Sequence, residues 1–163
     1  MKYKLTDVKI NFMGKTLFQI EAVKCFGDIV KGQKGGFIEK ESNLSQGGNA
    51  WVRGNAWVYG NAKVYGNAEV SGNAKVSGNA KVSGNAEVSG NADYLVIGPI
   101  GSRNDITTFF KTANNDIKVS CGCFTGNIEE FLEKVNETHG NNNYAKEYKT
   151  AVEIAKIHIF GGE

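Results

Sequence analysis

The chain has 163 residues and a formal net charge of +2, room for one domain or two small ones. The charge is spread evenly: residues 1–43 carry eight lysines and five acids, 44–93 four basic and three acidic residues, and 94–163 seven basic and nine acidic. That balance argues against a nucleic-acid groove and against a DNA mimic, and no apolar run is long enough to span a membrane or serve as a signal peptide.

In chain order, residues 3–24 read as a β-hairpin about the Met13-Gly14-Lys15 turn, with Phe12, Leu17, Phe18 and Ile20 flanking it. Cys25 to Gly36 is rich in turn residues. From Asn49 to Ala92 the chain repeats a six-residue unit, GNAWVR GNAWVY GNAKVY GNAEVS GNAKVS GNAKVS GNAEVS GNA. Phe37-Ile38 and Leu44, just before it, resemble imperfect first hexads. Ala and Val are two apart, so on an extended segment they share one side, while the residues between and after them face the other. Gly-Asn tolerates positive φ and supplies a corner. The arms are too short for each corner to be an independent hairpin. Regular corners with one apolar side predict a coil whose flat sides stack as parallel strands.

The outward positions of the first units hold Trp51, Arg53, Trp57, Tyr59 and Tyr65, and the later ones Ser71, Ser77, Ser83 and Ser89. The aromatic set has two readings: it packs under the N-terminal segment or a neighbouring subunit, or it is a partner or ligand surface, since Trp, Tyr and Arg dominate such sites. After Ala92 the pattern stops. Asp93–Ile97 reads as a short strand broken by Gly98-Pro99-Ile100-Gly101, followed by strands at Ile106–Lys111 and Ile117–Cys121. Thr125 is placed to cap a helix over 127–138 ended by Gly140. A second helix is expected over 143–158, with Tyr144, Tyr148, Ala151, Ile154, Ala155 and His158 inward.

The hexad resembles the repeat of left-handed parallel β-helices, in which three units form one triangular coil. The resemblance implies stacks of Val52, Val70 and Val88; of Val58, Val76 and Tyr94; and of Val64, Val82 and Ile100. It also implies a homotrimer. The expected fold is therefore mainly β: an N-terminal hairpin cap (1–43), a short left-handed parallel β-helix (44–97) and a small ββαα C-terminal domain (98–163). The stretches KGGFIEKESNLSQGGNAWV, GPIGSRNDITTFF and TGNIEEFLEKVNETHG are similar to those of a phage and prophage protein group. That likeness implies a phage-encoded protein acting in the bacterial cytoplasm.

For chemistry, hexapeptide acyltransferases use a His in or beside the coil as base. Here His139 and His158 both lie outside the repeat, which argues against an enzyme and against a three-His zinc site. Cys25, Cys121 and Cys123 read as reduced thiols, Cys121-Gly-Cys123 lacks the CxxC spacing, and no metal or cofactor is expected. The best site is Gly98 to Asp105: Gly101 admits a ligand to the backbone, Ser102 and Asn104 offer hydrogen bonds, Arg103 suits a phosphate, and Thr107 and Thr108 follow. A plain hydrogen-bonded loop explains the same residues. The function expected is a non-enzymatic, oligomeric binding protein, with a nucleotide signal of bacterial immunity as its ligand. Arg103 would hold phosphate and Trp51, Trp57, Tyr59 or Tyr65 would stack on a base, with Arg53 beside them. The alternatives are an anti-defence inhibitor of a host protein and an acyltransferase-like enzyme.

Overall fold

A computed structural model describes residues 1–161. They are mainly β, with two helices at the C-terminal end. The described residues fall into two compact units, the first over 1–91 and the second from Ala92 onward. The N-terminal hairpin thus belongs with the repeat, and the first residues after the repeat belong with the C-terminal unit.

In the first unit, β1 (Tyr3–Phe12) and β2 (Lys15–Ala22) form the expected hairpin. Met13 and Gly14 turn it with φ of 51° and 79°. β2 then pairs antiparallel with β3 (Lys34–Ile38). The repeat gives seven two-residue strands: β4 (Trp51–Val52), β5 (Trp57–Val58), β6 (Lys63–Val64), β7 (Glu69–Val70), β8 (Lys75–Val76), β9 (Lys81–Val82) and β10 (Glu87–Val88). They pair in parallel as β4·β7·β10, β5·β8 and β6·β9. Trp51 stands beside Glu69 and Glu69 beside Glu87, so the chain returns to a face every 18 residues (69 − 51 = 18).

The Ala and Val series are wholly buried, from Ala50 and Val52 to Ala86 and Val88. Full burial of a valine contributes roughly 1.5–3 kcal/mol against leaving it in water, so this line of small aliphatics is the core of the repeat. Rungs are joined by backbone bonds such as Trp51 N–H to Ala68 O at 3.0 Å and Glu69 N–H to Ala86 O at 2.9 Å. Val52, Val70 and Val88 stack as expected, as do Val58 with Val76 and Val64 with Val82. Tyr94 and Ile100 do not join them. Both lie in an antiparallel sheet of the second unit, opposite Phe110 and Asp105.

Ahead of the first full hexad the spacing changes. β3 pairs in parallel with β5, Phe37 beside Trp57 (57 − 37 = 20), and Leu44 bridges to Val64 at the same interval. Two extra residues are thus taken up between Leu44 and Trp51. Gln46 lies in that stretch, and its side-chain oxygen accepts from the backbone N–H groups of Lys2 (2.8 Å) and Tyr3 (3.3 Å).

The starting edge of the coil is closed face by face. On one face Phe37 N–H donates to Ala56 O at 3.0 Å. On another, Asn43 Nδ2 donates to Gly60 O (3.2 Å) and Ala62 O (2.9 Å). On the third, the buried Lys2 Nζ donates to Gly47 O (3.2 Å), Gly48 O (3.3 Å) and Ala50 O (2.7 Å). At the far end the Asn91 side chain accepts from Lys75 N–H at 2.8 Å.

The second unit is a four-stranded antiparallel sheet, β11 (Tyr94–Ile100), β12 (Asp105–Lys111), β13 (Ile117–Cys121) and β14 (Phe124–Asn127), with two helices. Three of these strands were expected; the first runs on through Gly98-Pro99, where a break was expected, and the fourth, Phe124–Asn127, was not foreseen. The helices are α1 (Ile128–His139) and α2 (Asn143–Phe160). Asn127, rather than Thr125, caps α1: its side chain accepts from Glu130 N–H at 2.8 Å, and Glu130 Oε1 accepts from Asn127 N–H at 3.1 Å. The inward face of α2 is Ala145, Tyr148, Ala151, Val152, Ala155 and Ile159. Tyr144, Ile154 and His158, expected inside, are exposed. Phe109, Ile117, Val119, Phe131 and Val135 complete the core of this unit.

Candidate functional site

The hairpin at the end of β13 makes the site. Cys121 pairs with Phe124, so Gly122 and Cys123 form a two-residue turn, with Gly122 at φ 58°. The Gly101–Asn104 turn ends at Asn104 (φ 48°), whose N–H donates to Gly101 O at 3.2 Å. The two turns approach closely: Arg103 Nη1 lies 3.3 Å from where a Cβ on Gly122 would stand. Gly101 (φ 75°) packs on α2 so tightly that a Cβ there would overlap the Tyr148 phenol oxygen, and its N–H donates to Glu147 Oε1 at 3.4 Å.

Between these turns and the helices lies a cavity of about 340 Å³. Phe124, Phe131, Val135 and the Tyr148 ring give it an apolar lining. Phe131 stands edge-on to Tyr148, their centroids 5.5 Å apart. Arg103 and Lys134 supply positive charge, and Ser102, Asp105, Thr138, Cys121 and Cys123 supply polar and thiol groups. His139, in the last turn of α1, also lines it, stacked on Tyr148 at 6.0 Å. Burial pushes the Tyr148 hydroxyl up to about 12, helped by the Cys121 thiol and Glu147 and opposed by Arg103. It is thus a neutral donor at ordinary pH. Rings and two cations lining one cavity are an arrangement for a planar group carrying an anion.

Of the residues expected in this site, Arg103 and Ser102 line the cavity and Gly101 shapes its wall. Thr107 and Thr108 do not take part: both are buried in β12, and Thr107 Oγ1 donates to Cys121 Sγ at 3.3 Å. Asn104 is exposed in its turn and does not line the cavity. Lys134, His139 and Tyr148 come from helix positions that sequence alone reads as surface, helix end and core.

The aromatic set of the first unit is largely used in packing. Trp51, expected to point outward, is 1 % exposed, with Tyr3 and Phe26 edge-on at 6.3 and 5.3 Å. It lies under the N-terminal segment and cannot stack on a ligand base. Arg53 is held by Asp28 (2.6 Å) and Glu69 (2.9 Å). Trp57 is half-buried, with Phe12 at 4.9 Å and Lys75 Nζ 4.4 Å from its ring centroid. Tyr59 sits 5.8 Å from Phe12, and Tyr65 is 36 % exposed. Here the hairpin tip, folded back on the outer face, meets the rings that the sequence left uncovered.

Among the described residues no group of three or more His, Cys, Asp or Glu side chains is placed to hold a metal ion. Nor is any helix there long and apolar enough to cross a membrane. No protein-family model matches the chain, and no curated protein is significantly similar to it.

Proposed function

We propose that the protein is a non-catalytic binding protein whose second unit captures a small phosphate-bearing ligand with a planar ring. The observation that carries this is the 340 Å³ cavity, whose lining combines Arg103 and Lys134 with the rings of Phe124, Phe131 and Tyr148. Its volume suits one mononucleotide-sized group, at the lower end of ordinary ligand pockets. Arg103 takes phosphate oxygens with its guanidinium fork, Lys134 adds a point charge, and the rings take the base. The likeness to phage proteins extends this reading to capture of a nucleotide signal of bacterial immunity in the host cytoplasm.

In this reading the coil of the first unit winds left-handed and serves as scaffold in a homotrimer, which light scattering of the purified protein tests. The experiment for the ligand is capture and release. The protein is incubated with a panel of linear and cyclic nucleotides, filtered, then heated and filtered again. A nucleotide lost from the first filtrate and recovered intact from the second supports the proposal. No loss with any nucleotide refutes it, and a converted product would make the protein an enzyme.

A host-protein target is the second reading. It draws on Ile154 and Ile157 of α2, which are 42 % and 64 % exposed. Retention of one host protein at fixed stoichiometry, lost in Ile157→Glu, would favour it.

A further inference from the structure

We propose that Asp105 makes the cavity of the second unit selective for a phosphate ester that also presents a pair of hydrogen-bond donors, on its ring or on its sugar. This selectivity rests on the phosphate-binding role given to the cavity above. Asp105 opens β12 and lines the same cavity as Arg103 and Lys134. Its carboxylate is anchored from one side: Oδ1 accepts the N–H of Ile106, the following residue, at 2.7 Å. Among the described residues it enters no ion pair, and neither does Arg103 or Lys134. The cavity therefore offers two positive charges and one negative, none of them neutralised by another.

Such a lining does not suit phosphate alone, because an anchored carboxylate repels an anion. The carboxylate becomes favourable where the ligand turns an N–H or O–H toward it, since a charged acceptor forms a stronger bond than a neutral one. A carboxylate has about four acceptor positions, and Ile106 uses one of them. Two neighbouring donors on one edge of a ligand fit what is left. A nucleotide has such a pair in two places: the ring N–H and amino group of guanine, and the two hydroxyls of ribose. Adenine sets a ring-nitrogen acceptor beside its amine, and that lone pair is repelled by a carboxylate. The rings of Phe124, Phe131 and Tyr148 do not discriminate, because every base has a face to stack. Affinity thus falls to the two cations and selectivity to Asp105.

The full chain and its Asp105→Asn variant are titrated by calorimetry with the 5′-monophosphates of guanosine, adenosine and 2′-deoxyguanosine. Asparagine keeps a side-chain oxygen for the Ile106 N–H, so the start of β12 is preserved. The unaltered protein is expected to bind the guanosine ester roughly 10- to 100-fold more tightly than at least one of the other two. Discrimination against the adenosine ester places the donors on the ring, and discrimination against the deoxy ester places them on the sugar. In Asp105→Asn the ratio is expected to fall to within about 3-fold, with binding of the disfavoured ester level or tighter. A ratio unchanged in Asp105→Asn, or no preference in the unaltered protein, overturns the role of Asp105 and leaves phosphate-ester capture standing. Should none of the three esters bind, the selectivity is overturned, and the capture-and-release panel decides the wider reading.

Discussion

The ammonium of Lys2 lies 2.7 Å from the carbonyl oxygen of Ala50, where the N–H of a preceding rung would otherwise be. One rung further on, the equivalent carbonyl of Ala68 accepts the Trp51 N–H at 3.0 Å. A side chain thus completes the first rung of a parallel stack whose backbone has no earlier strand on that face, a problem every open sheet edge must solve. Asn43 does the same work for Gly60 and Ala62.

Removing the ammonium should therefore cost more than an ordinary surface lysine. Lys2→Met leaves the buried Ala50 carbonyl without its donor, while those of the exposed Gly47 and Gly48 turn to water, and a loss of about 1–3 kcal/mol is expected. Urea denaturation followed by tryptophan fluorescence reads it. A change within ~0.5 kcal/mol would mean that water replaces the ammonium freely.

The same residue gives the first unit a pH signature. Burial lowers the Lys2 ammonium from 10.5 to about 8. Between those values the unfolded chain binds more protons than the folded one, so stability is at its floor below pH 8 and climbs as pH rises through the window. Above pH 10 the buried Tyr3 phenol, pushed well above its usual 10.0 by burial and by Glu41, has the opposite effect: the folded state keeps its proton and stability falls. A maximum near pH 10 is expected, and the rising limb should vanish in Lys2→Met.

Asn43→Ala should cost about 1–3 kcal/mol by uncovering Gly60 O and Ala62 O. Asn43→Asp is the sharper test, since a carboxylate presents oxygens to two carbonyl acceptors. It should destabilise at least as much at neutral pH, as read by thermal unfolding.

Trp51→Ala should cost about 3–5 kcal/mol, as for other large buried side chains, and leave ligand capture by the folded protein unchanged. Reduced affinity in the folded variant would return Trp51 to the binding site. By contrast, Arg103→Ala should weaken nucleotide capture roughly 10- to 100-fold with little change in melting temperature, because the side chain is exposed and its loss forfeits a charge-assisted bond.

Gly101→Ala separates the wall of the site from its charges. Positive φ and overlap with the Tyr148 hydroxyl oppose any side chain there, so the second unit should lose about 2 kcal/mol or more. Tyr148→Phe in the same background should restore part of it by removing the oxygen. No recovery would assign the cost to the backbone angle together with the ring carbons of residue 148, which overlap the same Cβ.

The parallel rungs were readable because each hexad carries its own corner and its own buried pair. Burial of Ala50 and Val52 needs nothing but the period. For Trp51 the sequence leaves two readings, and the structure selects packing under the N-terminal segment; its particular cover, Tyr3 and Phe26, was not readable, since it arrives from segments with no periodic relation to the repeat. Arg103 was legible as a cation among glycines. Its partners were not: Lys134 looks like any exposed helical lysine until β14 and α1 bring it round to the same cavity. Phe124–Asn127 was not legible as a strand because four residues containing Thr, Gly and Asn resemble a cap more than a strand.

Near-identical hexads raise a question of address. A hairpin searching a row of interchangeable rungs would find docking sites repeated along each face, and a coil slipped by one full circuit would bury almost the same groups. The two residues added before Trp51 break that degeneracy. They place Gln46 beneath the N–H groups of Lys2 and Tyr3, and no later rung has a glutamine to offer. Together with Trp51 and Trp57, which no later hexad repeats, this irregularity gives the row of rungs an origin from which they are counted.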